Sequence, residues 1–316
     1  MKQRNRDCGQ DNPTLGWQDD IRRKKNKKVR AALSFLVITV LMALLFFAAI
    51  NIGSLQVGVT GLLKGLFVEY DPNVAAIWDL RFPRIIISML AGAGIAVSGV
   101  LFQAVLKNPL ADPGIIGISS GAGFAAVLVT AFAPQWYFFT PLAAFLGGVI
   151  AFLLVYCLSW KGGLSPLRII LTGVAADALF TGLASAFNSM SGKDMSGVAA
   201  IVEANITQKT WEDVSTLFPY IAAGLFLAAL FLGECNLLSL EDKTARSLGI
   251  NVNTTRICIS LIAVLLASIS TAIAGAISFL GLIVPHIGRI LVGSDHRALM
   301  PFSALAGAFT FLLADT

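Results

Sequence analysis

Charged side chains are scarce in this sequence of 316 residues. Asp, Glu, Lys and Arg make up 13% of it, whereas soluble domains carry about 25%. Hydrophobic residues make up 56%, and they collect in runs long enough for helices to cross a bilayer. The alternating ten-residue strands typical of membrane barrels are not found. The sequence therefore predicts an all-α, polytopic membrane helix bundle.

Cysteine and histidine are also rare. The four cysteines are Cys8, Cys157, Cys235 and Cys258. They are scattered and form no C-x-x-C pair, so we expect neither a disulfide framework nor a metal site. The two histidines, His286 and His296, are too few for a histidine metal cluster. Each is interpreted as a hydrogen-bonded structural imidazole.

Several features of enzymes and motors are missing. The sequence has no phosphate-binding loop of the form G-x-x-x-x-G-K-[ST], so the chain is not expected to hydrolyse ATP. It has no soluble segment large enough to form its own core. No cluster of acids, bases or metal ligands occurs at one depth, which disfavours a membrane enzyme. Energy for transport must come from another chain or from an ion gradient.

Residues 1–32 form a hydrophilic, basic N-terminal arm, and residues 33–316 form the predicted membrane domain. Seven Lys and Arg lie between Arg22 and Arg30, directly before the first apolar run. Such a cluster holds its end of a span in the cytoplasm. No aromatic residues are interleaved with these charges, which disfavours nucleic-acid binding.

Nine apolar runs predict nine membrane spans. They are Leu33–Ile52, Ile85–Val105, Ile115–Phe132, Pro141–Trp160, Ile169–Phe187, Leu217–Cys235, Ile257–Ile277, Phe279–Val292 and Leu299–Leu313. The eighth run is short and contains Pro285. We expect it to be accommodated by tilt, by burial against neighbours or by a polar vestibule.

Positive charge orients these spans in a cell membrane. With the N-terminus in the cytoplasm, 18 of the 23 Lys and Arg lie on the cytoplasmic side, as the positive-inside rule requires. The longest outer segment, 188–216, is predicted to carry a short surface helix, with Trp211 at the depth of the interface.

A polar segment at 239–249 separates two apolar runs on the predicted cytoplasmic side. Ser239 and Asp242 have the spacing of a capping box, and Gly249 supplies a left-handed stop, so we predict a helix of about two to three turns. A helix of that length is marginal alone in water, so it must dock on the protein. It can then be a simple connector, or it can offer its free face to a partner.

Two other positions place charge at or within the membrane. The motif Arg81-Phe82-Pro83-Arg84 begins the second span, where its arginines can bind carboxylates or anchor lipid headgroups. Asp177 lies about eight residues into the fifth span, where a carboxylate requires water or a partner. A single acid is too few for a proton relay, which disfavours a gradient-driven secondary transporter, the main alternative of another class.

Five motifs together make the sequence resemble the FecCD family of ABC-transporter permeases, the membrane subunits of ferric-siderophore, haem and cobalamin importers. The motifs are RFPR at 81–84, NPLADPGIIGISSGAG at 108–123, ARSLGI at 245–250, GxIxFLGLIVPHIGR at 275–289 and GSDHRALMPFSALAGA at 293–308. The similarity covers residues 80–316 in register.

The resemblance implies a type II ABC importer permease without a cofactor. Its partners would be a cytoplasmic ATPase dimer, an extracytoplasmic binding protein and a second permease copy or a homologous permease. Arg81 and Arg84 would dock the binding protein. The residues implied in ATPase coupling are Ser239, Leu240, Glu241, Asp242, Ala245, Arg246, Leu248 and Gly249. The implied pathway residues are Thr172, Gly173, Ala176 and Asp177, the last at a position that is usually neutral in the family.

Iron(III)–siderophore complexes are the expected substrates because they are frequent in this family, with haem and cobalamin as alternatives. Members of the family continue beyond the position of Asp315 to a further arginine and a tenth helix. The resemblance therefore predicts that a tenth span is missing from these 316 residues.

Overall fold

The computed structural model describes residues 13–52, 71–159, 166–190 and 206–316. Within these ranges the chain forms α-helices and one 3-10 helix, Pro134–Phe139, and no strand. The first six α-helices are α1 (Pro13–Asn51), α2 (Pro72–Leu80), α3 (Phe82–Val105), α4 (Ile118–Phe132), α5 (Thr140–Ser159) and α6 (Pro166–Met190). The next six are α7 (Trp211–Leu230), α8 (Leu232–Leu238), α9 (Asp242–Ser247), α10 (Val252–Ala274), α11 (Leu280–Val292) and α12 (His296–Asp315).

Each of the nine predicted apolar runs lies largely on helical residues, which confirms the all-α bundle, although α1 begins at Pro13, well before its run. In the described ranges, 7 helices are long and apolar enough to cross a membrane, and α4 and α11 are shorter. The predicted run Leu217–Cys235 is divided, because α7 ends at Leu230 and α8 begins at Leu232. The predicted surface helix within 188–216 falls largely on residues 191–205, which lie outside the described residues.

Helices α3 and α10 form the centre of the bundle. Every residue from Ala91 to Val105 is buried, because α7, α10, α11 and α12 pack around α3. Glycine allows two of these contacts to be backbone to backbone. Gly92 faces Gly307 of α12, and Gly99 faces Gly281 of α11. A side chain on either α3 glycine would collide with the partner backbone.

Helix α11 does not cross the bundle on its own. Its 13 residues extend only about 20 Å, against about 30 Å for the hydrocarbon core of a bilayer. The preceding residues 275–279 are not helical, and Phe279 has a left-handed backbone with φ of 66°. Gly281 packs on Gly99, a buried residue within α3, so α11 begins inside the bundle. Burial against neighbouring helices thus accommodates the short eighth run. This was one of the three possibilities expected from the sequence, beside tilt and a polar vestibule.

Helix α1 lies at the edge of the bundle, against α11 and α12. It passes the predicted boundary between the basic arm and the first span without interruption. Large apolar side chains such as Leu33, Leu36 and Leu44 are exposed along it. A lipid-facing position explains this exposure, since lipid tails are as apolar as these side chains.

Candidate coupling and docking sites

Polar side chains collect at the two opposite ends of the bundle. One end, here the Asp242 end, carries Lys107, Asp242 and Arg256. The other, the Asp315 end, carries Arg84 and Asp315. This division matches the predicted topology, in which an odd number of spans separates Arg84 from Lys107, Asp242 and Arg256.

The segment 239–249 folds differently from the prediction at its start. The helix is the six-residue α9, which begins at Asp242, so the predicted two to three turns are too long. Ser239 does not cap it, because its hydroxyl donates to the carbonyl of Asn236 at 2.5 Å. The predicted left-handed stop is present, since Gly249 has a φ of 91°.

The physical reason for the missing capping box is that Asp242 has stronger partners. Lys107 Nζ and Arg256 Nη2 each donate to Asp242 Oδ1 at 2.8 Å. Lys107 also donates to the carbonyl of Leu240. The Lys107 hydrogen bond, supported by Arg256, holds the pKa of Asp242 below its ordinary value. Both bonds join opposite charges, whereas the capping box would offer the carboxylate only a neutral backbone N–H.

One face of α9 is docked and the other is open. Ala245 is 1% exposed, so it and Asp242 form the docked face. Glu241, Arg246 and Leu248 are exposed, with Leu248 at 56%. The segment therefore offers an anion, a cation and an apolar side chain on one fixed surface, as a docked helix with a free face was expected to do.

A second network holds α8, which leads into this segment, to the start of α12. The amide of Asn236 donates to Asp295 Oδ1 at 2.7 Å, and its oxygen accepts the His296 backbone N–H at 2.9 Å. The His296 ring nitrogen Nδ1 lies 2.7 Å from the same oxygen. His296 is thus a hydrogen-bonded structural imidazole, as predicted.

The two arginines at the Asp315 end are engaged within the protein. The Arg84 guanidinium donates through Nε and Nη2 to the carboxylate of Asp315, at 2.8 to 3.1 Å, and through Nη2 to its backbone carbonyl at 2.7 Å. Arg81 Nη1 donates to the carbonyl of Ile50 at 2.5 Å. Pro83 lies in the first turn of α3, as predicted. Arg84 thus binds a carboxylate in bidentate fashion, and its side chain remains 35% exposed.

The four pathway candidates lie on α6, in two different settings. Gly173 and Ala176 are buried against the turn before α4, where they pack on Ile116 and Gly117. Thr172 and Asp177 are half-exposed. Asp177 makes no hydrogen bond or ion pair with the described residues. The pathway role of the four residues stays a prediction.

Asp112 is a functional candidate that the sequence reasoning did not single out. It is 1% exposed in the turn between α3 and α4, and its Oδ2 accepts the backbone N–H groups of Gly114 at 2.9 Å and Ile115 at 3.2 Å. Burial raises the pKa of Asp112 to about 6, against the opposing effect of these hydrogen bonds. The sequence Asp112-Pro113-Gly114 is typical of a turn, but it does not indicate that the carboxylate is buried.

This burial predicts a measurable pH dependence. The folded protein binds the Asp112 proton more tightly than the unfolded chain, whose carboxyl has the ordinary pKa of 3.8. Relative to Asp112→Asn, the free energy of unfolding should rise by up to about 1 kcal/mol per pH unit as the pH falls from about 6 to about 3.8, and it should level off below that. Denaturation in detergent over a pH series measures this, and parallel profiles for the two proteins would refute it.

Comparison with known proteins places these features in a family. The model of the FecCD transport family matches residues 41–316. Two Staphylococcus aureus proteins, from strains MSSA476 and Newman, are each 40% identical over 291 residues, which cover 92% of this chain and 87% of theirs. Both are described as a probable heme-iron transport system permease protein, IsdF.

A solved structure is also similar to this chain in sequence and fold. It is described as an inward-facing conformation of a metal-chelate type ABC transporter, with a TM-score of 0.72 and 31% identity, over 90% of this chain and 89% of that one. Both sequence and fold therefore agree over nearly the whole length. The chain belongs to the FecCD transport family.

Proposed function

We propose that this chain is the membrane-spanning permease subunit of an ABC importer for iron chelates. The observation that carries the proposal is the family match over residues 41–316, which includes the exposed segment 239–249. Hydrolysis of ATP by a separate pair of cytoplasmic ATPase subunits would drive transport, because the sequence has no nucleotide-binding loop. The Asp242 end faces the cytoplasm, together with the N-terminus, in agreement with the distribution of positive charge.

The segment 239–249 is proposed to couple the ATPase to the bundle. Its docked face joins α10 and the turn that follows α3 through Asp242, and its free face presents Glu241, Arg246 and Leu248. Ser239, Leu240, Ala245 and Gly249 shape and anchor this surface. Movement of a docked ATPase would then be passed to two helices at the centre of the bundle, as a switch between two packings requires.

Exchanging the charges of Glu241 and Arg246 tests the coupling assignment. Both residues are exposed, so Glu241→Arg with Arg246→Glu should leave the fold and the docking of the binding protein unchanged. ATP hydrolysis should continue while uptake of iron chelate falls by about tenfold or more, because like charges would meet at the interface. Uptake at the wild-type rate would remove the segment from the proposal.

The Asp315 end is proposed to dock the extracytoplasmic binding protein through Arg81 and Arg84. Arg84 already binds Asp315, and an arginine has five N–H donors, so its exposed edge can accept a second carboxylate. Comparing the single variants Arg84→Gln and Asp315→Asn distinguishes a role of Arg84 in docking the binding protein from a role in packing the helices. Both substitutions disrupt the ion pair, but only the first removes the guanidinium.

Arg84→Gln should weaken the complex with the binding protein by about 2 kcal/mol, or about 30-fold, the value of one hydrogen bond to a charged group. Asp315→Asn should not weaken it. Surface plasmon resonance with purified binding protein measures both. If the two variants lose affinity equally, Arg84 acts only in packing.

A second permease copy or a homologous permease is proposed to cover the exposed side of α6. Leu171, Val174 and Leu179 are exposed there at 61%, 54% and 52%. Thr172 and Asp177 are half-exposed, so they would line the pathway between the subunits, with Gly173 and Ala176 behind them. Asp177 is the residue on which a gradient-driven mechanism would depend, and Asp177→Asn should leave ATP-driven uptake unchanged.

Iron(III)–siderophore complexes remain the substrates expected from the family. Haem is the second candidate, and the relatives at 40% identity described as heme-iron permeases favour it. Uptake of ⁵⁵Fe-labelled siderophores and of haem in a deletion strain, with and without the plasmid-borne gene, distinguishes the two. Failure to restore uptake of any iron chelate would refute the substrate class.

A further inference from the structure

A cavity of about 730 Å³ lies at the Asp242 end, beside the proposed coupling segment. Its walls come from the last turn of α3, the turn that follows it, α5, the start of α6 and the start of α10. Cavities of about 300 to 1,000 Å³ bind small ligands in many proteins. No role described above uses this space.

The part of the cavity between α5 and α10 is apolar. Phe152 and Leu153 of α5 face it from one side, and Ile257 and Leu261 of α10 from the other. Leu153, Ile257 and Leu261 are 52%, 62% and 41% exposed. Since α5 and α10 are membrane spans, these exposed side chains lie where the cavity meets lipid tails.

The mouth of the cavity is cationic. Lys107 and Arg256 both border it, and each keeps donors beyond its bond to Asp242. The Lys107 and Arg256 side chains are 31% and 30% exposed, so a ligand in the cavity can reach them. The two cations and Asp242 leave one net positive charge at the rim. Asp112 also borders the cavity, but it is 1% exposed, and its Oδ2 atom accepts two backbone N–H groups.

We propose that this cavity binds an anionic phospholipid, with the phosphate at Lys107 and Arg256 and an acyl chain between α5 and α10. Basic pockets between membrane helices on the cytoplasmic side bind such headgroups. A soluble anion would leave the apolar walls unused, and a neutral apolar molecule would leave the two cations at the rim unused. An anionic lipid matches both parts of the cavity at the depth where they occur.

The site has a regulatory consequence, which rests on the proposed function. The cations that hold the phosphate also hold Asp242, the first residue of α9. A bound headgroup would strengthen the positioning of these two side chains, so the coupling of ATP hydrolysis to uptake would depend on anionic lipid. Lipid binding itself requires neither an ATPase nor a substrate, so it can be tested separately.

Native mass spectrometry of the full chain, purified in detergent and delipidated, tests the binding. Dioleoylphosphatidylglycerol and dioleoylphosphatidylcholine are titrated in parallel because they share acyl chains and differ in headgroup charge. We expect phosphatidylglycerol to bind at least about tenfold more tightly, as two cations at the rim imply. Equal affinity for the two lipids would overturn the proposal.

Three variants locate the site. Arg256→Gln should lower the affinity for phosphatidylglycerol by about fivefold, the effect of one basic residue, and Lys107→Gln replaces it if that variant fails to fold. Leu261→Trp fills the apolar part and should abolish binding with every charge intact. Arg297→Gln is the control, since Arg297 is exposed, carries the same charge and does not border the cavity.

Unchanged binding in Arg256→Gln, Lys107→Gln and Leu261→Trp would mean that lipid binds nonspecifically around the bundle, and it would refute the site. A drop in Arg297→Gln equal to that in Arg256→Gln would refute it as well, because net charge alone would then explain the preference. None of these results depends on transport activity, so they leave the proposed function untouched.

Discussion

Replacing Asp242 by arginine is expected to abolish ATP-driven uptake while the bundle stays folded. The substitution puts a third cation beside Lys107 and Arg256, which lie 2.8 Å from the carboxylate that they now share. Close like charges at an interface cost several kcal/mol. Helix α9 has only six residues and one buried side chain, Ala245, so little else holds it in place. Uptake should fall by more than about tenfold.

The large loss of uptake expected for Asp242→Arg comes from the reversal of charge and not from the loss of the ion pair. The Asp242 side chain is 40% exposed, and ion pairs at such positions contribute about 1 kcal/mol or less. Asp242→Asn should therefore reduce uptake only slightly. Combining Asp242→Arg with Lys107→Asp restores an opposite-charge contact and should recover part of the uptake. Wild-type uptake in Asp242→Arg would contradict the role given to the docked face.

Replacing Gly99 by valine is expected to prevent correct packing of the bundle. A Cβ atom at this position would overlap the backbone of Gly281, which cannot move aside as a flexible side chain could. Overpacking of a well-packed core costs about 1 to 3 kcal/mol or more, and here α3 and α11 would have to separate. We expect the variant to be degraded or to aggregate in detergent.

Gly182 provides the matched control. It lies within α6, and a Cβ added to it would meet nothing within 4 Å. Gly182→Ala should therefore leave thermal stability equal or slightly higher, because alanine favours helix over glycine by about 1 kcal/mol. Size-exclusion profiles and melting temperatures measure both variants. A monodisperse Gly99→Val protein with a wild-type melting temperature would show that the α3–α11 contact is looser than described.

Helix content and the positions of the apolar helices were predictable because apolar run length responds to one strong requirement, the thickness of the bilayer. Local capping was less predictable. The pattern of a hydroxyl residue followed three positions later by aspartate occurs at both Thr210 and Ser239. At Thr210 it works, since Asp213 accepts the backbone N–H of Thr210 at 2.8 Å. At Ser239 it fails because two distant cations compete for Asp242.

Which residues pair across the bundle could not be read from the sequence. Arg84 and Asp315 are 231 positions apart in the sequence. The predicted topology implied that they lie at the same end of the bundle, but not that they contact each other. The order of the predicted spans placed Lys107, Arg256 and the segment 239–249 on one side of the membrane. Which charged residues pair depends on how each helix is rotated about its axis and packed against its neighbours. The periodicity of apolar residues in the sequence does not fix that rotation closely enough to name the partners.

Reconstitution into proteoliposomes tests the central claim most directly. The permease is reconstituted with and without its ATPase subunits, the binding protein is added outside, and accumulation of an iron chelate is followed with ATP inside. We predict accumulation only when both ATPase and ATP are present, and none when Glu241 and Arg246 are exchanged in charge. Accumulation by the permease alone, driven by a proton or sodium gradient, would contradict the proposal that a separate motor acts through residues 239–249.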